Sequence, residues 1–294
     1  MTYSILARDP QTGELGVAVQ SHWFGVGPIV PWARPGVGAV ATQANVRVAH
    51  GPDALELLAD GMAAADALAR LIAADPGAAS RQLAIVDARG GVAAHTGEAC
   101  MAYAGHVTGE QVSCQANIMA SPEVWPRMLE AFTTAAGPLA SRLLAALDAA
   151  EQAGGDIRGR QSAALLVVPA TGEPWQFDVR LHVEDHPEPL AELRRLYELQ
   201  RAYELAGQGD ELTGEGRHDE AAVRYEQAFA LAPDNHELLF WAGLGAVQTG
   251  ETERGLELVR RAIALQPGWA QLLPRLSGDA APAAGLVCAR LGLA

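Results

Sequence analysis

From Thr2 to about Asp185 the chain places strands first, helices in the middle and strands again at the end. A wound parallel sheet alternates strand and helix throughout, so this order predicts an α+β layered sandwich instead. The opening hairpin turns at Pro10-Gln11-Thr12-Gly13 between runs of small and β-branched residues. Val37 to Thr42 reads as a third strand, Gly-rich and apolar enough to be buried on both faces. Pro52 to Ala59 and Ala64 to Ala74 read as alanine-rich helices, stopped by Asp75-Pro76-Gly77. Gln82 to Asp87 and Val92 to His95 form a second hairpin around Gly90-Gly91, and Gln111 to Gln115 is a short strand. Helices over Pro122 to Ala135 and Pro138 to Ala153 follow, the second ended by Gly154-Gly155. Ser162 to Val168 and Trp175 to Val183 are the closing strands.

His186-Pro187-Glu188-Pro189 punctuates the chain, and the remainder reads as helix. Ala228, Leu231 and Pro233 recur as Ala262, Leu265 and Pro267, and Gly216 recurs as Gly250. This period is the 34-residue spacing of tetratricopeptide repeats. Two units are expected, about 200–233 and 234–267, each a helix hairpin, supported by a helix over Leu190 to Leu199 and a capping segment after Trp269. The predicted domains are thus 1–187, a sandwich, and 188–294, an all-α tetratricopeptide-like module. Such a module presents a concave face, so a protein partner or self-association through the repeats is expected.

Composition removes several functional classes. A formal charge of −14 disfavours nucleic acid and anionic membranes as partners. No apolar run reaches the roughly 18 residues that span a bilayer, and the N-terminus lacks a basic-then-apolar leader, so a cytoplasmic location is expected. The three cysteines, Cys100, Cys114 and Cys288, are irregularly spaced, which argues against a disulfide framework. His22, His50, His95 and His106 are scattered without metal-ligand spacing, so no metal and no cofactor is expected. All 21 basic residues are arginine. Schiff-base chemistry and a lysine-assisted nucleophile are thereby excluded, and carboxylate recognition falls to guanidinium forks or backbone amides.

The residue after Met1 is Thr2, small enough for Met1 to be trimmed. Trimming would place a free α-amine beside the Thr2 hydroxyl, a pairing that activates a weak nucleophile. Other polar residues gather at strand ends: Gln20-Ser21-His22, Thr42-Gln43-Ala44-Asn45, Gln115-Ala116-Asn117, and the segment Gly155 to Ser162. Singly, each reads as a turn cap. Beside Thr2 they read as a site, with Asn117 donating to a developing oxyanion, Asp156 orienting the α-ammonium group, and Ser21 and Gln43 contacting substrate. Arg158 and Arg160 would clamp a substrate carboxylate, which points to a small polar amide. Two other readings stay open: a catalytically inactive scaffold acting in assembly through its repeats, and a thiol enzyme using Cys114.

Several long blocks carry a resemblance. Thr2 to Pro10, Gly16 to Ser21, Val30 to Arg34, Gly36 to Ala44, Gly155 to Ala164 and Asp185-His186-Pro187 resemble the domain-of-unknown-function family 1028, over about residues 2–200. Members of that family look like N-terminal nucleophile hydrolases, which implies a four-layer αββα sandwich and amide-bond hydrolysis with Thr2 at the nucleophile position. The resemblance implies no substrate. In a chain without lysine it leaves general-base duty to the α-amine.

Overall fold

The computed structural model describes residues 2–276 and 281–293. Two compact units make up the chain, Met1–Arg195 and Leu196–Ala294. The first unit contains strands β1 (Thr2–Arg8), β2 (Leu15–Ser21), β3 (Pro31–Arg34), β4 (Gly38–Ala44), β5 (Arg81–Asp87), β6 (Val92–Thr96), β7 (Gly105–Gly109), β8 (Val112–Asn117), β9 (Ser162–Val168) and β10 (Val179–Val183). Its helices are α1 (His50–Ala59), α2 (Ala64–Ala73), α3 (Val124–Thr134) and α4 (Leu139–Gln152). Among the described residues no helix is long and apolar enough to cross a membrane.

Two antiparallel sheets result, one in the order β10-β9-β2-β1-β8-β7 and the other β3-β4-β5-β6. They face each other, with α3 and α4 packed on the outside of the larger sheet and α1 and α2 on the outside of the smaller. Strand alternation sorts the side chains. Leu6, Val17, Val19, Ala39, Ala41 and Val86 meet between the sheets. Val40, Leu83 and Ile85 turn outward onto Leu55 and Leu58 of α1. In β1, Tyr3 points to the helical side, where its hydroxyl donates to Glu151 Oε1 at 2.5 Å, while Ser4 points inward. Burial and the adjacent Glu151 carboxylate hold the Tyr3 phenol well above its ordinary pKa.

The mixed α/β order predicted from the sequence is present, with three differences. Strand β3 is only four residues long, begins at Pro31 and lies at a sheet edge, where a missing N–H costs nothing. Strand β7, Gly-His-Val-Thr-Gly, carries too little apolar pattern to be told from a loop. The last strand starts at Val179, because Glu173 to Gln176 form a turn closed by the Gln176 side chain; this leaves Trp175 71% exposed.

The second unit is helical. Helix α5 (Pro189–Gly214) runs into it and is followed by α6 (His218–Leu231), α7 (His236–Gln248), α8 (Thr252–Leu265), α9 (Gly268–Leu272) and α10 (Ala284–Leu291). Helix α8 begins and ends 34 residues after α6, and Gly216 and Gly250 occupy the equivalent turns with φ of 76° and 97°. Left-handed φ at both turns explains why glycine recurs there. Asn235 caps α7, its side chain accepting from the amides of Glu237 and Leu238. Leu239, Phe240, Val259 and Val287 form the core, with Phe240 stacked on Trp269 at 4.4 Å. The expected capping segment after Trp269 includes α9 and α10, and residues 277–280 within it lie outside the described residues.

Candidate active site

Thr2 is the first residue of β1, held between β2 and β8 and opposite Ser21 and Asn117 in their registers. Its side chain points into the space between the sheets and is nearly buried, 4% exposed. The hydroxyl donates to Ser21 Oγ at 3.1 Å. Met1, whose removal the sequence reading invokes, lies outside the described residues.

Beneath Thr2 the two sheets are joined by amides rather than by aliphatic side chains. Gln82, on β5, sits at the centre. Its amide nitrogen faces Thr96 Oγ1 (2.9 Å), the Gly105 carbonyl (3.1 Å) and the Ala116 carbonyl (2.9 Å). This fixes Gln82 Oε1 as an acceptor, and it receives Gln43 Nε2 at 2.7 Å and Asn117 Nδ2 at 2.9 Å. The same two amide nitrogens also reach the Thr2 carbonyl, each at 3.3 Å. Ser4 Oγ donates to Gln43 Oε1 at 2.7 Å, and Gln115 Nε2 approaches Ser4 Oγ at 2.5 Å. Thr2, Ser4, Gln43, Gln82, Gln115 and Asn117 are all buried, so the mutual satisfaction of their polar groups supports the fold.

A cavity of about 470 Å³ opens above this seam, lined by Thr2, Ser21, Gln43, Asn45, Ser80 and Asn117 on the polar side. Trp23, Val26, Ile29, Val30, Val46 and Met101 form much of the rest. The volume is within the range of small-molecule sites. Two strand exits beside it adopt left-handed backbone: Ala44, after Gln43, at φ 66°, and Ile118, after Asn117, at φ 55°. For a β-branched residue this is an outlier. Ile118 is held there because its amide donates to the Met101 carbonyl and its carbonyl accepts from Ile157 N. Strain retained beside a cavity is a feature of functional sites.

The residues singled out from the sequence divide into two groups. Thr2, Ser21, Gln43 and Asn117 come together at the cavity floor. Asp156, Arg158 and Arg160 are not among its lining residues. Asp156 is buried and its carboxylate accepts from the His22 and Arg158 amides (3.2 and 3.0 Å) and from the Arg158 guanidinium at 2.8 and 3.1 Å. It fixes the backbone next to Ser21. Arg158 is therefore engaged with Asp156, and Arg160 with Glu151 (2.6 Å) and Glu188. These pairings replace the expected clamp, because each guanidinium has a carboxylate of the chain closer at hand. Asn117 also differs from expectation: both its amide hydrogens are taken by Thr2 O and Gln82 Oε1, so it anchors the Thr2 backbone instead of presenting a donor.

Cys114 is fully buried, and burial pushes its thiol far above the ordinary range, which leaves no thiolate for attack. Among the described residues no group of three or more His, Cys, Asp or Glu side chains could hold a metal ion.

Residues 2–193 match the profile of a family described as a family of unknown function, DUF1028. The chain belongs to it. A crystal structure of a DUF1028 protein from Silicibacter pomeroyi is 37% identical, with a TM-score of 0.62, covering 67% of this chain and 84% of that one. No curated protein matches. In this DUF1028 chain, Gln82, Ser80 and Met101 are among the site residues that the sequence did not point to. Gln82 was legible only as the start of a strand, and its inward face is set by the register Gln82↔Gln43.

Proposed function

We propose that this protein is an amidohydrolase of the N-terminal nucleophile type, with Thr2 as nucleophile once Met1 has been removed. One observation carries the reading. A threonine hydroxyl at the start of a central strand lies on the floor of a cavity, bonded to a second hydroxyl, Ser21, with its backbone held by two amides. Two facing sheets with helices outside both agree with the αββα sandwich of that class.

The chemistry follows from these positions. The Thr2 hydroxyl attacks the carbonyl of an amide, and its proton passes to the α-amine. The tetrahedral intermediate collapses as the α-ammonium group returns a proton to the departing nitrogen, leaving an ester on Thr2. Water, deprotonated by the same amine, then releases the acid. Gln43 and Asn117 keep the Thr2 carbonyl fixed through these steps, and Asp156 with Arg158 keeps Ser21 in place through the His22 amide. Asn45, whose Nδ2 makes a 3.3 Å bond to Ser80 Oγ, lines the cavity, and with the Gln43 and Asn117 amides occupied it is the candidate side-chain donor to an oxyanion.

The test is mass spectrometry of protein expressed without a tag. Loss of Met1 followed by a covalent adduct on the N-terminal peptide with a threonine-directed electrophile is expected. Thr2→Ala should lose the adduct and at least about 1000-fold in turnover while folding normally. Retention of Met1 in active protein would remove the proposed base.

The helical unit favours a second role, binding of a protein partner or self-association. Its tetratricopeptide-like spacing comes with a groove of about 240 Å³ among α6, α7 and α8, lined by residues including Tyr225, Phe229, Arg254 and Arg261. A cellular function unchanged by Thr2→Ala would make that role the primary one.

A further inference from the structure

We propose that the cavity over Thr2 selects an amide whose acyl group is neutral and apolar, and rejects one carrying a carboxylate or an ammonium group; this rests on the Thr2 reading above. Among the described residues lining the cavity no side chain carries a formal charge, and the Thr2 α-amine must be neutral to act as the base. The guanidinium groups flanking the lining residues are already engaged with carboxylates of the chain. Arg81 donates to Asp75 at 2.9 Å and to the Asn45 carbonyl, Arg47 also faces Asp75, and Arg158 and Arg160 hold Asp156, Glu151 and Glu188. A charged acyl group entering here would lose its hydration and find no lining side chain of opposite charge.

The apolar wall is built in advance. Val26 and Val30 are 1% and 2% exposed and belong to the core between the sheets. The segment carrying them is pinned to β9: Ser162 Oγ donates to the Trp23 carbonyl at 2.5 Å and accepts from Val26 N at 3.2 Å, while Val30 N donates to the Val26 carbonyl. A rigid apolar wall offers an acyl chain burial without ordering the protein first. Trp23 and Met101 also line the cavity and are 58% and 63% exposed, so apolar surface continues from the cavity out to solvent. The polar atoms gather on the side of Thr2, where the amide group would lie. This proposal departs from the polar, carboxylate-bearing substrate that the Arg-rich segment suggested.

Cys100 lines the same cavity and provides a readout that does not depend on catalysis. Its alkylation by iodoacetamide, mapped by peptide mass spectrometry, is followed with hexanamide, with the carboxylate-bearing adipic monoamide and with 6-aminohexanamide. Hexanamide should slow Cys100 modification at concentrations at least about 10-fold below those needed for either charged amide, in wild type and in Thr2→Ala alike, with Cys288 unaffected. Hydrolysis of hexanoyl p-nitroanilide should exceed that of succinyl p-nitroanilide by about 100-fold. Met101→Arg, at an exposed lining position, should bring adipic monoamide into the protecting range. Equal or better protection by a charged amide, or none by any, overturns the acyl preference even if turnover depends on Thr2. Protection by hexanamide alone, with no adduct on Thr2, keeps the preference and defeats the hydrolase reading.

Discussion

The Thr2 carbonyl receives two side-chain amides, and both of those amides depend on one oxygen, Gln82 Oε1. Replacing Gln82 by leucine would leave one Asn117 donor without its acceptor and would strip Thr96 Oγ1 and the Ala116 carbonyl of the Gln82 amide, each loss costing about 1–3 kcal/mol. Gln82→Leu should therefore lower unfolding free energy by about 2–4 kcal/mol in urea titrations, with an unchanged dependence on urea. A loss below 1 kcal/mol would show that water fills the gap. At this scale the sequence was informative about one half of the site. Thr2, Ser21, Gln43 and Asn117 could be found because polar residues at strand ends share one side of a layered fold. The fate of Arg160 was hidden, because its carboxylates, Glu151 and Glu188, are brought close only by folding. Arg158 is the exception, since Asp156 is two residues away and an Asp-x-Arg pairing could have been considered.

Among elements, the strand exits carry the strain. Ala44 leaves β4 at φ 66°, where alanine is tolerated and a β-branched residue is not. Ala44→Val should cost about 1–2 kcal/mol of stability, measured by thermal or urea unfolding, while Ala44→Gly should stay within about 0.5 kcal/mol of wild type. Next to this exit, Asp75 ties α2 to β5. Its carboxyl is held down to about 2, chiefly by the Arg81 hydrogen bond and also by the Gly77 amide. A depressed folded pKa adds stability above the ordinary value of 3.8, and that stability is lost as the pH falls from about 4 to 2. His50, which faces Asp75 at 3.4 Å, is shifted down, mainly by burial, so protonation below its ordinary value of 6.5 favours the unfolded chain. Stability should thus decline on acidification in two stages, and Asp75→Asn should abolish the lower one in urea titrations across pH 2–5. The strands and helices themselves were largely legible from period and turn chemistry. Strands β3 and β7 were not, because both are short edge strands whose pairing comes from a neighbour and not from their own pattern.

Among the described residues, hydrophobic clusters fill the space between the sheets, the face of the smaller sheet under α1 and α2, and the helical unit, where the largest gathers around Phe240 and Val259. Phe240 is fully buried there against Trp269, so Phe240→Ala should cost that unit about 3–5 kcal/mol. Covalent labelling of Thr2 should be unaffected, and calorimetry alongside labelling would test both halves of that expectation. The 34-residue period made the helical unit legible, since period and terminal proline are local properties. The amide seam between the sheets was not, since it depends on which faces meet. That seam bears on descent as well as on architecture. Gln43 and Asn117 both donate to Gln82 Oε1, so a change at position 82 withdraws an acceptor from both at once, and the three positions are expected to vary together. Descendants that keep the fold should change positions 43, 82 and 117 together or not at all. A lineage in which all three have become aliphatic would identify itself as one that has abandoned the chemistry proposed at Thr2.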